Sequence, residues 1–185
     1  MATDSVAILL LPGWQNSGEA HWQTHWERQH GHVRVEQGDW QWPLRGDWMA
    51  RLEEVLLDTA YCAGRPCCLV AHSLGCQLVA AWAAHTRHAA TVCGALLVAP
   101  PDVERADVPP QIAAWREVAW QRLPFASTLV MSSDDPYCSA ERAGAMAQAW
   151  GATLVAAGPR GHLNGDSGLG DWPAGLALLD ALIKV

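Results

Sequence analysis

The chain has 185 residues, half of them hydrophobic and 17% charged, with a formal net charge of −7 at pH 7. That composition is globular rather than disordered and long enough to bury its own core, so one domain spanning 1–185 is expected. The acid excess argues against nucleic acid or an anionic membrane surface as partner, and the apolar runs are of strand length, too short to cross a bilayer. No basic residue precedes the first apolar run as it would in a signal peptide, so a cytoplasmic location is the default expectation.

In chain order, a strand is expected at 6–11, followed by the turn-forming Pro12-Gly13-Trp14-Gln15-Asn16-Ser17. A helix over 19–29 and a strand at 33–36 come next, then Gly38-Asp39-Trp40-Gln41-Trp42-Pro43, a helix over 48–61 and a strand at 67–71. The second half gives a helix over 74–86, a strand at 94–99, the proline-rich segment 101–124, strands at 128–132 and 153–157, and helices over 140–150 and 173–183. The six strands are almost continuously apolar, as strands buried on both faces of a parallel sheet must be. Alternation with helices through right-handed crossovers predicts a three-layer α/β/α sandwich of about six mostly parallel strands.

Ligands of such sheets sit beyond the carboxyl ends of the strands. Three residue types of one chemistry fall there. Ser73, in Leu69-Val70-Ala71-His72-Ser73-Leu74-Gly75-Cys76, stands between a strand and a helix with small residues two positions away on each side. That is the form of a nucleophile elbow, where a strained serine needs little bulk around it. A serine hydroxyl needs a histidine to take its proton and a carboxylate to orient that histidine. His162 follows the last strand in Gly161-His162-Leu163-Asn164, and Asp134 and Asp135 follow the fifth in Ser133-Asp134-Asp135-Pro136. Pro136 biases Asp135 to extended backbone, so the adjacent aspartates point opposite ways and only one can reach His162. Asp135 is preferred. Ser139 is expected to cap the helix that follows. Two backbone N–H groups should hold a developing oxyanion: Leu74, at a helix N-terminus, and Trp14 in the loop after the first strand, with Gln15 the alternative to Trp14. His72, beside the nucleophile, is read as supporting structure. Gln15, Trp40 and Trp42 are candidates for the substrate pocket, with 101–124 a partial cap over it.

Other reactive residues carry weaker patterns. His21 and His25, and His85 and His88, are spaced like metal-ligand pairs but have neither the H-E-x-x-H form nor an evident third ligand, so no metal is expected. The six cysteines form no paired C-x-x-C motifs and several lie in apolar stretches, which reads as buried, reduced thiols.

Taken together, Leu11-Pro12-Gly13-Trp14, Ala20-His21-Trp22-Gln23, Ala71-His72-Ser73-Leu74-Gly75-Cys76, Ser133-Asp134-Asp135-Pro136-Tyr137 and Gly161-His162-Leu163-Asn164 resemble the compact serine hydrolases grouped with retinoblastoma-binding protein 9 and the bacterial YdeN-type proteins. Ser167-Gly168-Leu169-Gly170-Asp171-Trp172-Pro173 resembles the bacterial branch. The resemblance implies a truncated α/β-hydrolase fold lacking the first two strands of the full sheet, no cofactor, and the aspartate before the proline as triad member. The expected activity is hydrolysis of small or short-chain carboxylic esters. The contrasting class is a protein-binding module with incidental catalysis, which an L-x-C-x-E type ligand motif would favour; here Leu74-Gly75-Cys76-Gln77-Leu78 has leucine in place of the glutamate.

Overall fold

The computed structural model describes residues 6–62 and 64–184; residues 1–5, read above as lacking the basic start of a signal peptide, lie outside them. Six strands form one sheet: β1 (Ala7–Leu11), β2 (Val33–Arg34), β3 (Cys67–His72), β4 (Val92–Val98), β5 (Ala126–Met131) and β6 (Thr153–Ala156). Their order is β2-β1-β3-β4-β5-β6 and every pairing is parallel. The helices are α1 (Trp22–His30), α2 (Arg45–Leu57), the single turn α3 (Thr59–Cys62), α4 (Leu74–His85), α5 (Ala140–Trp150) and α6 (Pro173–Ile183).

Alternation along the strands builds the two cores. Leu9, Leu69, Leu97 and Leu129 face one side, where α2, α4 and α5 cover them with Trp48, Leu52, Leu78, Trp82, Met146 and Trp150. Leu10, Val70, Leu96 and Val130 face the other, covered by Trp22 and Trp26 of α1 and by Leu179 of α6. The six largest fully buried side chains are indoles, and each finds a partner for its N–H: Trp26 donates to the Asp171 carbonyl at 2.7 Å, Trp115 to Pro43 at 2.9 Å and Trp150 to Ala119 at 2.7 Å.

Differences from the expected boundaries have local causes. Helix α1 starts at Trp22 rather than 19 because the ring of His21 accepts the Gln23 N–H and caps it. Helix α2 starts earlier than expected and ends at Leu57, where Asp58 turns extended. Strand β2 pairs over two residues only, at the sheet edge. Among the cysteines, Cys68, Cys76 and Cys138 are buried free thiols, but Cys93 is exposed. Cys62 and Cys67 are joined as a disulfide, correcting the reading of these two as thiols. The turn between them, closed by the Arg65 N–H on the Cys62 carbonyl at 2.8 Å, brings their Cα atoms to 6.5 Å.

Candidate active site

The carboxyl end of β3 runs straight into α4 through Ser73, whose backbone takes φ 53° and ψ −124°. A non-glycine residue is strained there, and two features hold it. The Ser73 N–H donates to the Val98 carbonyl at 2.9 Å, and the neighbours are small. A Cβ on Gly75 would lie 2.2 Å from the Leu11 carbonyl oxygen, so only glycine lets α4 pass this close to β1. A Cβ on Gly13 would come within 2.7 Å of the Ser73 Cβ and 3.1 Å of its Oγ. The loop after β1 thus lies against the serine itself.

His162 is brought to Ser73 by the loop after β6, its Nε2 2.9 Å from the Ser73 Oγ. The other ring nitrogen, Nδ1, lies 3.0 and 2.9 Å from the two carboxylate oxygens of Asp135. The Asp135 side chain is only 3% exposed and that of His162 10%, so the pair is shielded from screening by water. One Asp135 oxygen also accepts the Tyr137 N–H at 2.9 Å, and the Tyr137 ring stands edge-on to His162 with centroids 4.6 Å apart.

Asp134 points the other way. Its Oδ1 accepts the Ser132 hydroxyl at 2.7 Å and the Gly161 N–H at 2.8 Å. These two hydrogen bonds, in that order, hold its carboxyl below the usual carboxylate range. The Ser132 oxygen in turn accepts the Arg160 N–H at 2.9 Å. The adjacent aspartates therefore divide one histidine between them, Asp135 touching its ring and Asp134 the backbone in front of it.

The oxyanion candidates Trp14, Gln15 and Leu74 line one cavity together with Ser73. Gln15, at φ 67°, donates its N–H to the Trp40 carbonyl at 3.0 Å. That donor is therefore occupied. Asn16, at φ 66°, is fixed by the buried guanidinium of Arg34, which reaches its Oδ1 at 2.7 Å and the Ser17 carbonyl at 2.9 Å while paired with Glu27.

Over Ser73 opens a cavity of about 490 Å³. Trp14, Gln15, Leu74, Tyr137 and His162 line it, and the 101–124 segment contributes Pro101, Pro109 and Ile112. That segment forms the expected partial cap and is fastened down. Gln77 donates to the Pro101 carbonyl at 2.8 Å, and Arg142 pairs with Asp102 and Glu104. Trp40 and Trp42, expected at the pocket, are not among its lining residues. Trp40 packs against Trp48 at 5.3 Å because its carbonyl is tied to Gln15, and Trp42 is 57% exposed on an Asp39-capped turn.

The histidine pairs weighed as ligands go to separate partners. His25 bonds Asp171 at 2.8 Å, His88 bonds Glu53 at 2.5 Å and His85 the Ala81 carbonyl at 2.8 Å. Among the described residues no three His, Cys, Asp or Glu side chains are grouped to hold a metal.

What sequence reasoning missed is His21. Buried under the site, its Nε2 is 3.3 Å from the His72 Nδ1. No spacing rule links positions 51 residues apart; the only signal was the recurrence of Ala20-His21-Trp22-Gln23 in the resemblance.

A parallel six-stranded sheet with crossover helices on both faces and a strained serine between β3 and α4 defines a hydrolase of the α/β-hydrolase fold. The chain belongs to the serine hydrolase family, whose model matches residues 8–181. Among solved structures it is similar to a YdeN-like hydrolase of Pectobacterium atrosepticum, at 28% identity and TM-score 0.85 over 99% of this chain and 93% of that one. It is also similar to the ydeN gene product of Bacillus subtilis, at 21% identity and TM-score 0.72 over 97% and 98%. An esterase domain of a Rhodothermus marinus protein shares the fold at 16% identity, with TM-score 0.66 over 97% and 87%. The expected likeness to YdeN-type serine hydrolases is thereby borne out. No curated protein sequence matches the chain. Among the described residues, no helix is long and apolar enough to cross a membrane.

Proposed function

We propose that the chain hydrolyses small carboxylic esters through an acyl-enzyme on Ser73, with His162 as general base and Asp135 as its orienting carboxylate. The observation that carries this reading is the continuous hydrogen-bonded line from the Ser73 Oγ through both ring nitrogens of His162 to Asp135, with Ser73 and His162 lining the cavity. His162 takes the hydroxyl proton as the Oγ attacks the ester carbonyl, and Asp135 stabilises the imidazolium that results. The carbonyl oxygen becomes an oxyanion, held by the N–H groups of Leu74 and Trp14, the first reinforced by the α4 dipole. His162 returns its proton to the leaving alcohol, the acyl group stays on Ser73, and a water activated by the same histidine releases the acid.

The cavity size and its lining by Trp14, Leu74, Pro101, Pro109 and Ile112 suit a short apolar acyl or alcohol group. With the cap fastened, rate should follow dissolved substrate without a jump at a lipid interface. The test is Ser73→Ala against a panel of p-nitrophenyl esters of increasing chain length. Loss of a triad nucleophile costs on the order of 10⁶ in kcat in a serine protease. The variant is expected to fold, to lose hydrolysis and to lose labelling by a fluorophosphonate probe. Undiminished hydrolysis in Ser73→Ala, or labelling at another residue, refutes the reading.

A further inference from the structure

Three consecutive side chains at the start of α1, none of which lies in the proposed reaction path, each hold a different catalytic segment. Gln23 is fully buried; its amide donates to the carbonyls of Leu11, at the end of β1, at 3.3 Å and of Val70, in β3, at 3.0 Å. Trp22 donates its indole N–H to the Leu163 carbonyl at 2.8 Å, where the backbone takes φ 50°. His21 reaches His72, and the His72 Nε2 lies 2.9 Å from the carbonyl oxygen of His162 itself.

The direction of every link in the histidine chain is determined. The Gln23 N–H donates to the His21 Nδ1 at 3.1 Å, so that nitrogen carries no proton and the proton of the neutral ring sits on Nε2. It is therefore donated to the His72 Nδ1, which leaves the His72 proton on Nε2, aimed at an oxygen that can only accept. Each nitrogen has one role, and an added proton on either ring breaks a link. Burial keeps both rings neutral, lowering His21 to about 3 and His72 well below the histidine range. The charges of Arg34, His25 and His162 facing them act in the same direction as burial, and only the hydrogen bond from His72 to the His162 carbonyl acts against it. Neutrality also suits the chemistry, because the His72 and His162 rings are 4.9 Å apart and a second cation there would oppose the imidazolium formed on His162.

We infer that His72, oriented by His21, is a positioning residue that fixes the backbone of His162 and so the aim of its ring at Ser73, with Trp22 and Gln23 completing a clamp on the catalytic loops. The inference rests on the reaction proposed above. A misplacement of the base by about 1 Å can cost on the order of 10²-fold.

The test compares His72→Phe, which keeps a ring but no donor, with His72→Gln, whose side-chain amide can still donate to the His162 carbonyl, and with His21→Asn, which keeps the α1 cap but cannot reach position 72. Expected is a fall in kcat of about 10²-fold for His72→Phe with KM within about twofold, a smaller fall for His21→Asn, and substantial recovery in His72→Gln. Equal losses in the Phe and Gln variants, or a loss confined to KM, overturn the inference. Nitrogen-15 NMR of the wild-type rings tests the same chain without catalysis or mutation. Neutral Nε2–H tautomers of His21 and His72 at pH 5 support it, and protonation of either at that pH overturns it. Should wild type hydrolyse no ester and take no fluorophosphonate, the reaction fails on its own terms, while the NMR result still decides the histidine chain.

Discussion

The two ends of the same sheet solve the same turning problem differently. At the amino edge, left-handed residues just before strands are glycines: Gly31 before β2, Gly64 before β3 and Gly151 before β6. At the carboxyl edge, Gly158 and Gly161 are joined by Gln15, Asn16, Ser73, Ala99 and Leu163, all with positive φ and all bearing side chains. A left-handed side-chain residue costs roughly 1–2 kcal/mol, so the carboxyl edge is strained where the amino edge is relaxed. It is also where Ser17, His21, Gln23, His72, Gln77 and Ser132 are buried, and His72, Gln77 and Ser132 are hydrogen-bonded to loop backbone. The difference teaches that the strain is not slack in the design. It is concentrated where side chains must be aimed, and a buried polar scaffold holds it.

The sharpest way to break the contrast lies within the carboxyl edge. If Asp135 serves the ring of His162 and Asp134 only its backbone, Asp135→Asn should lower kcat by about 10⁴, as the equivalent change does in a serine protease. Asp134→Asn should cost less than about tenfold, since an amide oxygen can still accept the Gly161 N–H. Circular dichroism checks that both stay folded, and a larger loss at position 134 would reverse the assignment.

Next in size is a methyl group at the strained edge. In Gly13→Ala the new Cβ would crowd the Ser73 Cβ, so either the serine or the loop after β1, proposed to supply an oxyanion donor, must shift. A fall of roughly 10²–10³ in kcat is expected, the range lost with one oxyanion donor. Wild-type kcat in a well-folded Gly13→Ala would show that the approach of the two segments is unimportant.

Acid offers a smaller, thermodynamic test. His21 and His72 are neutral in the native protein below the pH at which the unfolded chain, with histidines near 6.5, binds protons. The unfolded state therefore gains protons first, and stability falls as pH drops from about 6.5 toward 3, by about 1.4 kcal/mol per unit for a fully affected group. Urea titrations at pH 7 and pH 4.5 should differ by a few kcal/mol, with amide exchange rising first at the carboxyl edge. A flat stability profile over that range contradicts the burial of a neutral pair.

The mildest change belongs to the relaxed edge. Gly64 is at φ 72° with no atom within 4 Å of a would-be Cβ, so Gly64→Ala meets backbone strain alone. Thermal melts should show a loss of about 1 kcal/mol with kcat unchanged.

Much of this was legible in the sequence because it depends on local spacing. Ser73, Asp135 and His162 each follow directly on an apolar strand, and the parallel sheet fixes that such positions share an edge. The orientation of Asp135 could be argued from Pro136 alone. What could not be read depends on contacts between distant segments. Trp40 and Trp42 were expected at the pocket because their loop leaves the right edge, but the bond from Gln15 to the Trp40 carbonyl turns the indole toward Trp48. The His21–His72 bond links α1 to β3, and neither residue's neighbours announce the other. Cys62 and Cys67 were read from composition, whereas their pairing comes from the turn that ends α3.

The all-parallel order of the sheet has a kinetic consequence. No two neighbouring strands can pair as a hairpin, and β1 reaches its inner neighbour β3 only across the whole of α1, β2 and α2. Ser73 and His162 are 89 residues apart, and the line between them requires β3, β4, β5 and β6 to be in register together. Contacts of such long sequence separation form slowly. During refolding from urea, helix signal should thus return well before Ser73 becomes reactive, and a chain stalled short of its last crossover should be helical but inert.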